Sequence, residues 1–242
     1  MNEAARIGIL GGTLDPIHFG HLDTALAARE ALALDAVVIV PARIPPHRTQ
    51  QPVASPFHRF AMAALAVNGV EGLSASDIEL SSPGPSYTAD TLERVRDSLG
   101  LSASQVFFIT GADAFADIET WKRYPEVLDL AEFVAVSRPG VPVAALRQQL
   151  PALKSRMRLP LRRSDLPPSR EATTGKGPET FIFLVDAPTF DVSSTEIRRR
   201  LGAGLPLNGV VPAAVEHHIR QHGLYIQEPL TIPTADHLHG EN

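Results

Sequence analysis

Five short runs of almost uninterrupted apolar residues punctuate the chain: Ile7–Leu10, Ala36–Val40, Val106–Thr110, Phe133–Ser137 and Phe181–Val185. They are rich in Val, Ile and Phe and lack the polar alternation of a half-exposed strand. Such runs predict strands covered on both faces, as in a parallel sheet. Between them the spacing changes. Asp23–Leu34 is an alanine- and leucine-rich helical run, and Ser55–Val67 sets Phe57, Phe60, Ala61 and Ala64 at helical intervals. Ala89–Leu99 alternates apolar and charged positions at a similar period. Strands separated by helices predict right-handed βαβ units: an α/β fold with a doubly wound, Rossmann-like parallel sheet flanked by helices, in a single domain.

Proline and glycine mark the breaks. Arg43-Ile44-Pro45-Pro46-His47-Arg48 and Ser81-Ser82-Pro83-Gly84-Pro85-Ser86 read as loops following strands, where sites of open α/β sheets collect. The stretch 147–178 is basic and proline-bearing, with Lys154, Arg156, Arg158, Arg162, Arg163, Arg170 and Lys176 against only Asp165 and Glu171. It reads as a solvated, partly mobile insertion within a domain spanning 1–226, with a polar tail over 227–242.

At 242 residues the chain is long enough for one sizeable core, and 20% charged residues argue against wholesale disorder. A net charge of -5 offers no global basic field for nucleic acid. There is no cysteine, which excludes disulfides, thiolate metal sites and cysteine nucleophiles. With a polar N-terminus and no apolar run of about 20 residues, the expectation is a cytoplasmic protein with no membrane partner. Homo-oligomerisation is left open.

The chemistry concentrates in Gly11-Gly12-Thr13-Leu14-Asp15-Pro16-Ile17-His18-Phe19-Gly20-His21, between the first strand and the first helix. Paired glycines let backbone approach a ligand. Two histidines three apart share one face of a helix start, where unpaired N–H groups and the helix dipole favour an anion such as a nucleotide phosphate. Neither GxxxxGK nor the dinucleotide GxGxxG pattern follows that strand. A second motif is Asp191-Val192-Ser193-Ser194-Thr195-Glu196-Ile197-Arg198. Ser193 and Glu196 fit a capping box. Arg198, Arg199 and Arg200 so near a helix N-terminus oppose its dipole, which points to an anion held against it. His217, His218, His222, His237 and His239 lack acids at metal-site spacing and are read as surface residues, with no protein metal site expected.

Together the HxGH and SSTxIR motifs resemble those of the nucleotidylyltransferase superfamily. Pro45-Pro46-His47-Arg48, Pro85-Ser86-Tyr87-Thr88-Ala89-Asp90-Thr91-Leu92, Gly111-Ala112-Asp113, Thr120-Trp121 and His222-Gly223-Leu224-Tyr225 resemble, in order and spacing, the bacterial nicotinate-nucleotide adenylyltransferase family. Two departures are Leu14, where the family usually has phenylalanine, and the length of the basic segment. The resemblance implies adenylyl transfer from ATP to nicotinate mononucleotide, giving deamido-NAD and pyrophosphate. It implies His18 and His21 on the ATP phosphates with Gly11, Gly12 and Thr13, and Ser194, Thr195 and Arg198 on the β and γ groups. Gly111 and Asp113 would meet the adenosine ribose. Trp121 would stack on the pyridine ring, Tyr87 and Thr88 would meet the nicotinate carboxylate, and His47 and Arg48 the mononucleotide phosphate. Mg2+ would be held mainly by ATP. Pantetheine-phosphate adenylyltransferases and cytidylyltransferases are the alternatives within the superfamily, and a nucleotide-sensing scaffold without turnover is an alternative outside catalysis.

Overall fold

The computed structural model describes residues 5–46, 53–160 and 180–226. All five apolar runs form strands, and two short ones join them. β1 (Ile7–Gly12), β2 (Ala36–Pro41), β3 (Leu73–Ala75), β4 (Val106–Gly111), β5 (Glu132–Val136), β6 (Met157–Arg158) and β7 (Ile182–Val185) make one sheet of order β3-β2-β1-β4-β5-β7-β6. Every pairing is parallel, with Leu10 of β1 level with Ile39 on one side and Ile109 on the other.

Because successive strand residues point to opposite faces, each strand feeds two cores. Leu10, Ile39, Ile109, Val136 and Val185 pack beneath α1 (Phe19–Leu32), α2 (Pro56–Val67), α6 (Ser194–Gly202) and α7 (Ala213–Gln221). Ile9, Val40, Phe108, Ala135 and Leu184 pack beneath α3 (Thr88–Leu99), α4 (Ala112–Ala116) and α5 (Leu146–Gln149). Ile39 and Ile109 are fully buried, and each such side chain contributes about 1.5–3 kcal/mol by leaving water. Helix ends follow local chemistry. The Ser55 hydroxyl accepts from His58 N ahead of Pro56 at the start of α2, and Gly100 closes α3 in the left-handed region.

The reading of 147–178 as a solvated insertion is corrected over its first part. Residues 147–160 carry the end of α5 and the edge strand β6, and Leu150, Leu153 and Met157 are buried in the second core. Arg156 is a structural clamp: it donates to Leu128 O (2.8 Å) and Thr180 O (3.1 Å) and pairs with Asp129. Residues 161–178 and the tail 227–242 lie outside the described residues. Among those described, no helix is long and apolar enough to cross a membrane.

Candidate active site

Strand order reverses between β1 and β4, and in a doubly wound sheet ligands bind beyond the strand ends at such a point. Gly11 and Gly12 end β1 there, and Gly111 ends β4. A cavity of about 420 Å3 opens beside them, lined among others by Gly11, Gly12, Thr13, Tyr87, Thr88 and Trp121. Six of the expected contact residues thus line one cavity. The Trp121 indole meets Phe108 edge-on (5.9 Å, 89°), so it is anchored in the second core while it lines the cavity. Buried Glu79 also lines it, bonded to Thr91 and to Arg94, and so does Lys122, whose ammonium lies 4.2 Å from the Tyr87 ring centroid.

His18 caps α1 and is buried, and its ring lies 3.8 Å from that of His21. Burial, with the Arg138 charge second, pulls the His18 imidazole down to about 3. His21 is held well below its ordinary value by burial, then by His18 and Arg138. Both rings are therefore neutral at pH 7. His21 Nδ1 accepts the backbone N–H of His18 (3.3 Å), which places the ring proton on Nε2 and makes that atom a donor. Among the described residues His18 Nδ1 is buried without a hydrogen-bond partner, a cost of about 1–3 kcal/mol to the fold. The first helical N–H is not free for an anion, because Phe19 N donates to Val210 O (3.1 Å). Gly20 packs closely: a Cβ there would sit 3.0 Å from Phe190 O and 3.1 Å from the His18 ring, so a neighbour would have to give way by a few tenths of an ångström.

The second helix start docks on the same loop. Ser193 caps α6 by accepting from Glu196 N, while the Ser194 hydroxyl donates to Pro16 O (2.9 Å). Arg198 donates to Asp15 O (2.6 Å) and to Thr195 Oγ1 (3.3 Å). The three arginines of α6 do not all face an anion. Arg199 and Arg200 pair with Glu196 one turn back on their own helix, so they require no external anion. Glu196 is spent on those pairs, and only the Ser193 half of the capping box forms.

Asp113 pairs with Arg138 (3.3 Å), and a Cβ on Gly111 would collide with the side chains of both. An open groove runs along Ser137–Pro142 and Asp186–Thr189, past the same arginine. Sequence reasoning missed Arg138. Its signal is position, because Ser137-Arg138-Pro139-Gly140 follows β5 at the same end of the sheet where Gly111 closes β4, level with Val136. It also missed Arg59, fully buried, whose guanidinium donates to Thr13 O (2.7 Å), Ala42 O (2.5 Å), Arg43 O (3.0 Å) and Ala54 O (3.2 Å). Tyr225 donates its hydroxyl to Asp15 Oδ1 (2.7 Å), which also accepts from Ala54 N. Leu14 sits between at φ 52 with its side chain buried, a conformation that costs a non-glycine residue about 1–2 kcal/mol. His47 and Arg48 lie outside the described residues.

Paired imidazoles and a guanidinium at two helix starts over the switch point define a nucleotidylyltransferase. The cytidylyltransferase-like family model matches residues 9–200, and the chain belongs to that class of nucleotidyltransferases. A relative from Roseiflexus sp. named "probable nicotinate-nucleotide adenylyltransferase" is 41% identical over 225 residues, covering 92% of this chain and 99% of its own. One of the same name from Thermus thermophilus is 40% identical, covering 91% and 99%. The chain belongs to the nicotinate-nucleotide adenylyltransferase family. The fold also matches a Plasmodium falciparum nicotinic acid mononucleotide adenylyltransferase complexed with NaAD, at a TM-score of 0.67 and 17% identity over 91% of this chain and 97% of that one.

Proposed function

We propose that the chain transfers the adenylyl group of ATP to nicotinate mononucleotide, as its family name states, and that the residues above divide the work. The mononucleotide occupies the cavity lined by Trp121, Tyr87 and Thr88, and the adenosine lies toward Asp113 and the groove beside Arg138. The two phosphate chains then meet over the loop from Gly11 to His21. A phosphate oxygen of the mononucleotide, already ionised at neutral pH, attacks the α-phosphorus. The bond from that phosphorus to the bridging oxygen breaks, and pyrophosphate leaves. No covalent enzyme intermediate is needed, so catalysis is alignment and charge stabilisation.

The electrostatics assign distinct tasks. Because His18 and His21 are neutral, the fixed positive charge comes from Arg198 and Arg138, and the imidazoles serve first as hydrogen-bond donors. An arriving triphosphate raises their proton affinity, since an adjacent anion favours the charged ring. Gly11, Gly12, Thr13, Ser194 and Thr195 supply backbone and hydroxyl groups to the phosphates. The nucleotidyltransferase reaction uses a divalent metal, here Mg2+. Asp15 Oδ1 and Oδ2 are occupied by Val53 N, Ala54 N and Tyr225. That carboxylate is therefore not offered to a cation, which suits an ion carried on the oxygens of ATP and supplying charge neutralisation there.

The observation that carries the reading is the docking of both helix starts on one loop, through Ser194 to Pro16 and Arg198 to Asp15. Pyrophosphate release from ATP, measured with nicotinate mononucleotide and with its amide analogue, tests it. The acid is expected to be the better substrate by kcat/KM. Equal rates with both would remove the carboxylate contact, and no release with either would remove the function.

A further inference from the structure

Away from the nucleotide loop, α2 and α7 bring three imidazoles together. His58 lies in the first turn of α2; His218 and His222 lie four residues apart at the end of α7, on one face. Ring centroids are 4.4 Å apart for His218 and His222, 4.9 Å for His58 and His222, and 5.3 Å for His58 and His218. One ligating nitrogen from each ring lies within 4.8 Å of the other two. His218 is half-buried and His222 exposed, so reading them as unrelated surface residues misses a partner that lies 160 positions earlier in the chain.

The closest pair is His58 Nδ1 and His218 Nε2 at 3.1 Å. Two tetrahedral ligands at a zinc–nitrogen distance of 2.0–2.1 Å stand about 3.3 Å apart, so this pair is already at a coordinating spacing. A rotation of the exposed His222 side chain brings in the third. Imidazole donors without carboxylates suit borderline divalent ions and not Mg2+ or Ca2+.

We infer that His58, His218 and His222 form a structural site for one divalent transition-metal ion of the Zn2+ or Co2+ type, pinning α2 to α7, with water in the fourth position. The two helices are the ones that brace the nucleotide loop. His58 precedes Arg59, which holds Thr13 O, and α7 leads directly into Tyr225, which holds Asp15. The ion fastens both braces to each other without touching the reacting atoms.

The test uses the full chain without an affinity tag, stripped with EDTA and free of ATP. Titration with ZnCl2 is expected to show one tight equivalent. The melting temperature should rise by about 5 °C or more at a hundredfold excess over Kd. CoCl2 should give the visible absorption of a nitrogen-ligated, four-coordinate ion. His222→Ala, at an exposed helix end, should fold normally, weaken binding at least tenfold, abolish the melting shift and leave Mg2+-supported turnover of the stripped enzyme unchanged. His218→Ala should act alike. If binding survives in both variants, or is lost in His21→Asn instead, the ion sits elsewhere and the site is overturned. Absence of a tight equivalent in the wild type overturns it equally.

Discussion

Asp15 and His21 lie six residues apart and are spent on opposite tasks. The Asp15 carboxylate is buried and consumed by Val53 N, Ala54 N and the Tyr225 hydroxyl, so it shapes the loop. His21 keeps an Nε2–H donor whose tautomer is set by the His18 backbone N–H. A donor of this kind gains most where charge accumulates in the transition state. Replacing His21 by Ala is therefore expected to lower kcat by about 100-fold or more, with a much smaller change in the KM for ATP. Steady-state kinetics under saturating Mg2+ checks this, and an unchanged kcat would remove the residue from the chemical step. Arg59 is the residue-scale lesson in what a sequence conceals. A lone arginine inside an apolar helical run reads as a solvated position, whereas here it gathers four carbonyls from three chain segments.

Among elements, α6 separates a site arginine from two structural ones. Arg198 reaches Asp15 O and Thr195, while Arg199 and Arg200 fold back on Glu196. Arg198→Ala should cut kcat/KM for ATP by about 10- to 100-fold, the weight of one charged hydrogen bond. Arg199→Ala should stay within about twofold of wild type, a distinction that rests on the charge being screened at the surface. Parallel assays of the two variants, each checked by its melting curve, decide; equal losses would mean that both face the nucleotide. The long strands were legible because burial on both faces leaves an unbroken apolar run. β3 and β6, three and two residues long, carry too few positions to show any period, and β6 lies in a basic stretch whose composition argues against order. The site was legible where residues are close in sequence, as in HxGH and SSTxIR. It was not where the fold supplies the partner, as with Arg138 beside the imidazoles or His58 beside His218.

For the molecule as a whole, two buried groups make stability depend on pH in opposite directions. His18 titrates near 3 in the folded chain and near 6.5 when unfolded, so below pH 6.5 the unfolded state takes up a proton the folded state refuses. Its contribution to stability is complete above pH 6.5 and is lost as pH falls toward 3. Glu132, buried at the start of β5 and accepting from Phe181 N, is raised by burial to about 7. Here the folded state keeps a proton that the unfolded chain releases above about 4.5, so its contribution is lost as pH rises through 7. Glu132→Gln keeps the acceptor and removes the charge. Relative to wild type it should gain melting temperature as pH goes from 5 to 8, and a difference flat across that range would contradict the assignment. The Tyr225–Asp15 hydrogen bond joins positions 210 residues apart, and through Asp15 it secures the turn between β1 and α1. Since the ribosome makes β1 more than two hundred codons before Tyr225, the turn after β1 stays without this strut until both have been synthesised. A polypeptide halted before that tyrosine carries both signature motifs and still lacks the clasp that sets one of them in shape.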